Sequence, residues 1–190
     1  PGAIERVRID PETLEPRFKV IGGELWSDEP GFEDELGDKG VTGICGSGII
    51  EVIACMYLAG IVRPDGVING AMKERTPQIE ATGRTFSYLL HDGQPDKRIQ
   101  QSDIRAIQQA KAALYAGARI LMDRLGVDKV DRIRLAGAFG SHIDLKYAMV
   151  LGMIPDCDLR QVSSADNAAG TGARIALLSK SSRDEIEKRV

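Results

Sequence analysis

Two short glycine-rich segments of this sequence contain the residue types that hold phosphates and nucleosides in proteins. Each segment runs through small residues into the polar start of a helix, and a helix N-terminus presents free N–H groups to anions. Glycine has no Cβ atom, so the backbone at these positions can lie close to a ligand. Two such turns in one chain indicate a nucleotide that is gripped at two points. The segments are residues 41–48 (VTGICGSG) and residues 132–142 (RIRLAGAFGSH).

The first segment offers several N–H donors that could converge on one phosphate, with no side chain in the way. The hydroxyl of Ser47 would add a further donor. A Walker-type phosphate loop is excluded, because no lysine follows the glycines at the required spacing. The competing interpretation is a tight turn in which the glycines only permit positive φ. The candidate phosphate-binding residues are Gly43, Gly46, Ser47 and Gly48.

The second segment is predicted to pass from a short apolar strand into a turn that lies under an adenine or a ribose. A Cβ atom in such a turn would clash with the ligand. A simple tight turn is again the alternative. The candidate residues are Gly137, Ala138, Phe139, Gly140 and Ser141.

Lys111 is a third candidate, because it interrupts the apolar face of the longest predicted helix. Its amine must therefore reach outward. Two interpretations stay open: the side chain extends over the core surface into solvent, or it contacts a hydroxyl group of a nucleotide.

A different chemistry would use Cys45 as a nucleophile. The segment Gly43-Ile-Cys-Gly-Ser47 has the small-x-nucleophile-x-small spacing of a nucleophile elbow, and His142 and Asp166 could complete a triad. The chain is short for an α/β-hydrolase, and the long strand that such an elbow needs is not evident. No glycine run for an oxyanion hole precedes the segment, so this alternative is disfavoured.

The hydrophobic pattern predicts the elements that would position these residues. Strands come first and then alternate with helices, which predicts an α/β fold with a mixed β-sheet covered by helices on both faces. The N-terminal half is predicted to contain a hairpin of strands at 3–10 and 17–21 joined at Asp10-Pro11, an acidic loop at 22–40, a buried helix at 47–59 and strands at 85–90 and 98–100. A long helix is predicted from the cap Ser102 to Leu125, where Gly126 ends it. The remaining predicted elements are a strand at 132–135, a helix at 143–154, a strand at 161–164, a helix from Asn167 and a charged helical tail at 181–190.

Composition restricts the function classes. The 190 residues are 43% hydrophobic with a net charge of −3, enough apolar residues for a core and too little positive charge for a broad nucleic-acid surface. No apolar run approaches the ~20 residues of a membrane helix, and no signal peptide is visible. We therefore expect a cytoplasmic protein without a membrane or nucleic-acid partner. The acidic loop at 22–40 is expected to be a solvated surface, with a docking surface as the alternative.

The cysteines and the first residue carry two further expectations. Cys45, Cys55 and Cys157 are scattered, which predicts reduced thiols and no disulfide framework, zinc site or iron–sulfur site in this chain. The sequence begins at Pro1 rather than at a methionine, so we expect it to be a piece of a longer protein, with residues 1–190 as a single nucleotide-binding lobe.

Taken together, these motifs resemble the C-terminal part of the reductive activators of corrinoid proteins. That family belongs to the superfamily of acetate and sugar kinases, heat-shock chaperone ATPases and actin. The resemblance extends over nearly the whole chain in the family's order. Its segments are residues 1–4 (PGAI), 43–50 (GICGSGII), 103–113 (DIRAIQQAKAA), 135–140 (LAGAFG), 152–155 (GMIP) and 167–173 (NAAGTGA).

The resemblance implies a ribonuclease-H-like lobe, one of two that clamp ATP with Mg²⁺. Residues 43–48 would match the second phosphate motif, and residues 135–141 would match the adenosine motif. Residues 108–111 (QQAK) are similar to the Glu-x-Ala-Lys of the chaperone ATPases, whose Glu and Lys approach adenosine. Here Gln108 replaces the Glu, and Ala138 replaces the second glycine of the superfamily's usual Gly-Gly pair.

The resemblance also implies parts that lie outside this chain: the first phosphate loop, the catalytic acidic residue of the first lobe and an N-terminal [2Fe–2S] domain. The full-length protein would couple ATP hydrolysis to reduction of cob(II)alamin to cob(I)alamin in a methyltransferase system, with the corrinoid protein or methyltransferase as partner. This chain alone is expected to be inactive, and a homodimer stays open. The alternatives are one lobe of a small-molecule kinase of the same superfamily and a non-catalytic protein-interaction module.

Overall fold

The first sheet of the molecule contains both the N-terminal hairpin and the first glycine segment. A computed structural model describes residues 1–93, 97–137, 140 and 142–189. Strand β1 (Ala3–Ile9) pairs antiparallel with β2 (Pro16–Val20), as the alternating pattern predicts. Strand β3 (Gly43–Ile44), which was not predicted, pairs parallel with β1. The sheet order is therefore β2-β1-β3.

The acidic segment after β2 is more ordered than a solvated loop. It contains helix α1 (Phe32–Leu36) and a 3₁₀ turn at Gly37–Lys39. The Glu35 carboxylate accepts the backbone N–H groups of Glu24 and Leu25 at 2.9 and 3.1 Å. These two bonds lower the pKa of Glu35. The ring of Phe32 packs edge-on against Phe18, with 5.6 Å between ring centroids, and anchors the segment to the core.

Helix α2 (Gly46–Leu58) is the central buried helix, and it packs on β1. Its sequence is apolar on most faces, which predicts this burial. The following turn at residues 63–66 leads to a 3₁₀ helix at Gly70–Glu74 and then to the second sheet.

The second sheet is antiparallel, in the order β4-β5-β6. It consists of β4 (Ile79–Thr82), β5 (Thr85–His91) and β6 (Lys97–Gln100). Strand β4 was not predicted; it joins β5 through the two-residue loop Gly83-Arg84. Side chains of both sheets and of α2 form one continuous core. Tyr88 is fully buried within it and donates its hydroxyl to the carbonyl of Leu14 at 2.8 Å.

Helix α3 (Gln101–Leu125) is the longest element. It was predicted to begin at the cap Ser102, but Gln100 is the cap residue. The Gln100 side chain accepts the N–H of Asp103, whose carboxylate in turn accepts the N–H of Gln100, so the cap lies two residues earlier than predicted. Gly126 ends the helix in the left-handed conformation, as predicted, with φ of 67°.

The C-terminal elements form a third, two-stranded parallel sheet with its helices. Strand β7 (Ile133–Leu135) pairs with β8 (Val162–Ser164). Helix α4 (Leu145–Val150) packs on α2, and is shorter than the predicted 143–154 because Gly152, at φ 68°, follows its C-terminus. Asn167 caps α5 (Ala168–Leu178), as predicted, and α6 (Lys180–Arg189) completes the described chain.

The α/β class is as predicted, but the strands of the described residues are divided among three small sheets rather than joined in one mixed sheet. Within the described ranges, none of the helices combines the length and the apolar character that crossing a membrane requires.

Candidate functional site

The first glycine segment lies at the junction of β3 and α2. The N–H of Cys45 donates to the carbonyl of Ile4 at 2.9 Å, which continues the pairing of β3 with β1. Cys45 is then the N-cap residue of α2, and no side chain caps the N–H groups of this helix end. Gly46 begins the helix and is exposed, whereas Gly43 is half-buried. The uncapped N–H groups have the geometry that the predicted phosphate contact needs.

Two residues of this segment face the protein interior. A Cβ atom on Gly48 would overlap the carbonyl oxygen of Ile4, so this glycine lets α2 lie directly on β1. The buried hydroxyl of Ser47 lies 3.0 Å from the Cys45 thiol. The structure therefore gives Gly48 a packing role, and Gly43 and Gly46 are the glycines of the segment that face outward.

Gln108 lies on the face of α3 that meets the turn at residues 63–66. Its Nε2 donates to the carbonyl of Asp65 over 3.4 Å, a long hydrogen bond. The carboxamide lies flat against Gly66, where an added Cβ atom would overlap it. The backbone of this turn thus fixes where the Gln108 side chain sits.

Lys111, one turn further along α3, lies against the backbone of the chain after α4. Its Cε and Nζ atoms are each 3.3 Å from where a Cβ atom on Gly152 would be. The side chain is exposed, and among the described residues it has no hydrogen-bond or ion-pair partner. Its positive charge is available to a ligand, in agreement with the outward reach that the sequence predicts.

Gln108 and Lys111 line one cleft of about 130 Å³ between α2, α3 and α4. The turn at residues 63–66 forms one rim. The residues of the first glycine segment do not line this cleft. Its wall combines apolar side chains with the polar side chains of Arg63, Gln108 and Lys111. Its apolar lining residues include Ile53, Val62, Ile104, Ile107, Val150 and Leu151.

The second glycine segment follows β7. Gly137 has φ of 110°, and its N–H donates to the carbonyl of Asp166 at 2.7 Å, which ties the turn to the end of β8. Gly140 donates to Gly137 at 3.0 Å and closes the turn. Among the described residues, an added Cβ atom on Gly137 would meet no neighbour within 4 Å. The predicted contacts of Ala138, Phe139 and Ser141 fall outside the described residues.

The nucleophile alternative has no support in the described contacts. The Cys45 thiol pairs with Ser47, the Asp166 carboxylate accepts the Ser164 hydroxyl at 3.2 Å, and His142 is exposed. Nor do the described residues contain a group of three or more His, Cys, Asp or Glu side chains that could hold a metal ion.

A buried ion pair that the sequence analysis did not single out ties β1 to α2. Glu51 is 1% exposed, accepts the N–H of Val7 at 2.9 Å and binds the Arg8 guanidinium at 2.6 Å. That guanidinium also stacks on Tyr147 of α4, 4.9 Å from the ring centroid. Burial raises the pKa of Tyr147 to about 12. In the sequence, this network could have been inferred from Glu51, the single carboxylate of an otherwise largely apolar helix.

Comparison with known proteins places these features in a family. A corrinoid activation enzyme, RamQ, from Eubacterium limosum is 36% identical over 157 residues, which cover 76% of this chain and 26% of that protein. The solved structure of a reductive activator for a corrinoid, iron–sulfur protein superposes with a TM-score of 0.78 at 31% identity, over 98% of this chain and 28% of that one. The chain thus spans about a quarter of the length of the relatives it matches.

The comparisons confirm the predicted fold class, an α/β lobe of an actin-like ATPase, and the predicted resemblance to activators of corrinoid proteins. A family model described as the C-terminal domain of RACo, the ASKHA domain, matches residues 1–190, and the chain therefore belongs to this family.

Proposed function

We propose that this chain is the ATP-binding lobe of a protein that reductively activates a corrinoid protein. The family and the names of two relatives support this role. In the structure, the observation that carries the proposal is the cleft in which Gln108 and Lys111 meet, with Lys111 unpaired among the described residues. The alternatives, a small-molecule kinase lobe and an interaction module, have no specific observation in their favour.

Different residues are proposed to contact the adenosine and the phosphates of the nucleotide. Gln108 and Lys111, which line the cleft, are proposed to contact the adenosine, and Gly137 is proposed to lie under it. Gly43 and Gly46, with the uncapped N–H groups of α2, contact phosphate oxygens. Gly48 and Ser47 maintain the position of α2 on β1, so their contribution to phosphate binding is indirect.

The [2Fe–2S] cluster of the full-length protein is proposed to lie outside this chain. Cys45, Cys55 and Cys157 are free thiols, and the described residues form no cluster of metal-binding side chains. In the proposed full-length protein, the [2Fe–2S] cluster is held elsewhere.

ATP in this protein is proposed to bias a conformational state in which an uphill electron transfer to cob(II)alamin becomes possible. A nucleotide shifts such an equilibrium only by its difference in affinity for the two states. The partner is the corrinoid protein or its methyltransferase, and the proposed location is the cytoplasm. A homodimer remains one candidate assembly.

The proposal is tested by titrating the full-length protein with a non-hydrolysable ATP analogue in a calorimeter. We expect Gly137→Val to weaken binding by about ten- to a hundredfold, since the branched side chain would occupy the space proposed for the nucleotide. Ala138→Gly, which restores the superfamily's usual pair, should bind at least as well as the original protein.

The positive φ of Gly137 requires a control for backbone strain, because valine is strained in that conformation. Gly22, at φ 90° with no neighbour within 4 Å of an added Cβ, provides a matched variant, Gly22→Val. This control should lose stability but keep its affinity. Equal affinities in all three variants would contradict a nucleotide site at this turn.

A further inference from the structure

The turn at residues 63–66 is held rigidly against the N-terminal half of α3. Within the turn, the N–H of Gly66 donates to the carbonyl of Arg63 at 2.8 Å, and the Arg63 guanidinium binds the Asp65 carboxylate at 2.6 Å. The Asp65 carboxylate also accepts the N–H of Val67 at 3.0 Å. The turn thus has its own network of bonds, independent of any ligand.

A side chain of α3 fastens this turn to the helix. Nε2 of Gln101 donates to the carbonyl of Gly66 at 2.6 Å, and its Oε1 accepts the N–H of Ile68 at 3.0 Å. One carboxamide therefore binds two backbone groups at the C-terminal end of the turn. Because Gln101 and Gln108 are on the same helix, the turn and Gln108 keep a fixed relation.

The absence of a side chain at Gly66 leaves the space that the Gln108 carboxamide occupies. Gly66 has φ of 78°, and the atoms that an added Cβ would overlap are Nε2, Cδ and Oε1 of Gln108. These are the far end of a flexible side chain and not backbone. A methyl group at this position would displace the carboxamide, and it would also strain the backbone of the turn, because L-residues rarely adopt this φ.

We propose that the turn at residues 63–66 is a positioning element that aims the Gln108 carboxamide at the ribose of the bound nucleotide; this inference rests on the proposed function. The Asp65 carbonyl accepts a hydrogen bond from Nε2, so Oε1 is the end of the carboxamide that is not bound to the turn. Among the described residues Oε1 of Gln108 has no partner, so it is free to accept a ribose hydroxyl.

The same geometry gives a reason for glutamine at a position where the chaperone ATPases have glutamate. A carboxylate has no proton to donate to the Asp65 carbonyl, and its oxygen would lie against that carbonyl oxygen. A glutamate at residue 108 would be driven off the turn. The amide is the side chain that can bind both the turn and a hydroxyl group.

The test measures how well the full-length protein discriminates ATP from its 2′-deoxy and 3′-deoxy analogues. We expect ATP to bind about three- to tenfold more tightly than one of these analogues, the effect of one hydrogen bond. Gly66→Ala, Gln108→Ala and Gln108→Glu should each reduce this ratio to about one. In the Gln108→Ala background, Gly66→Ala should change the ratio no further, because there is no carboxamide left to displace.

Gly60→Ala is the matched control, because Gly60 has φ of 74° and an added Cβ there meets only Met72 at an ordinary 3.4 Å. It imposes the same kind of backbone strain without touching α3, and should keep full discrimination. The inference is overturned if Gly66→Ala retains the ratio, if Gln108→Ala retains it, or if Gly60→Ala loses it equally. Failure of the proposed function would look different: the unmodified protein would bind none of the three nucleotides.

Discussion

Gly48 and Gly66 both lack space for a Cβ atom, but different neighbours occupy that space. At Gly48 the obstacle is the backbone carbonyl of Ile4, which belongs to a central strand and has no room to move. At Gly66 it is the end of the Gln108 side chain, which can swing away. The first glycine therefore serves stability, and the second serves the position of one side chain.

At the residue scale, we predict that Gly48→Ala destabilises the protein by about 1–3 kcal/mol, because α2 must move away from β1 to make room. The matched control is Gly117→Ala in α3, where an added Cβ meets nothing within 4 Å. It should stabilise by about 0.5–1 kcal/mol. Urea midpoints measure both changes. An unchanged midpoint for Gly48→Ala would show that the helix does not need this glycine.

At the scale of elements, the network of Glu51 and Arg8 connects β1, α2 and α4. Glu51 belongs to α2, Arg8 to β1 and the stacked ring of Tyr147 to α4, which follows the second glycine segment. Arg8 keeps 36% of its side chain exposed and also stacks on Trp26, 5.7 Å from the ring centroid. The ion pair and the stacking of Arg8 on Tyr147 therefore connect β1, α2 and α4, and the Arg8 side chain extends to the surface.

We predict that Glu51→Ala destabilises the protein by about 2–4 kcal/mol, somewhat less than a fully buried pair because Arg8 reaches solvent. Glu12→Ala, on an exposed loop, is the control and should change stability by less than about 0.5 kcal/mol. Both variants are compared by chemical denaturation. If they are equally stable, the network contributes nothing to the junction of these elements.

The buried tyrosines predict a loss of stability in alkali. Burial raises the pKa of Tyr147 to about 12, and it raises the pKa of Tyr88 as well. Both phenols ionise more easily in the unfolded chain, whose tyrosine pKa is about 10. The two neutral phenols therefore contribute fully to the free energy of unfolding below pH ~10. That contribution is lost as the pH rises through the pKa of each tyrosine in the folded protein.

We expect the denaturation midpoint to fall between pH 9.5 and 12, following that shift. Tyr147→Phe should make the decline shallower. Tyr57→Phe, at a side chain that is 40% exposed, serves as the control and should leave the decline unchanged. A midpoint that is flat over this range, or equal slopes for the two variants, would contradict the assignment.

At the scale of the whole molecule, the N-terminal part and the C-terminal part differ in how much of their apolar surface is covered. Residues of α2 and of the sheets β2-β1-β3 and β4-β5-β6 form the main core, whereas large apolar side chains of α3 and α5 are exposed to water. Apolar surface of this extent is unusual for a monomer in solution. These surface leucines are Leu121, Leu125, Leu177 and Leu178.

We therefore predict that the 190-residue chain on its own self-associates as its concentration rises. Sedimentation velocity measures this, and the double variant Leu125→Glu/Leu178→Glu should shift the distribution toward monomer. Exchanging Leu159, also exposed but outside the surface leucines, for Glu is the control and should have little effect. A chain that is monomeric at every concentration would contradict the prediction.

The sequence by itself determined the α/β class and most of the helices and strands, and it supplied the residues that are proposed for the nucleotide site. Those features depend on local properties: the spacing of apolar residues, the caps Asn167 and Gly126, and the small residues of the two turns. Strands β3 and β4 were missed, because the two residues of β3 cannot show alternation and Ile79–Thr82 contains a single large apolar residue.

Only the tertiary structure decided what each candidate residue faces. The contacts of Gly48 with Ile4, of Gly66 with Gln108 and of Arg8 with Glu51 join residues that are 42 to 44 positions apart. No local pattern contains such a pair, because it exists only after α2 and α3 have packed on the sheets. The same packing divided the strands into three sheets and brought Gln108 and Lys111 to one cleft. The sequence thus shows which turns contain a glycine, whereas the fold determines which neighbouring atom occupies the space where its Cβ would be.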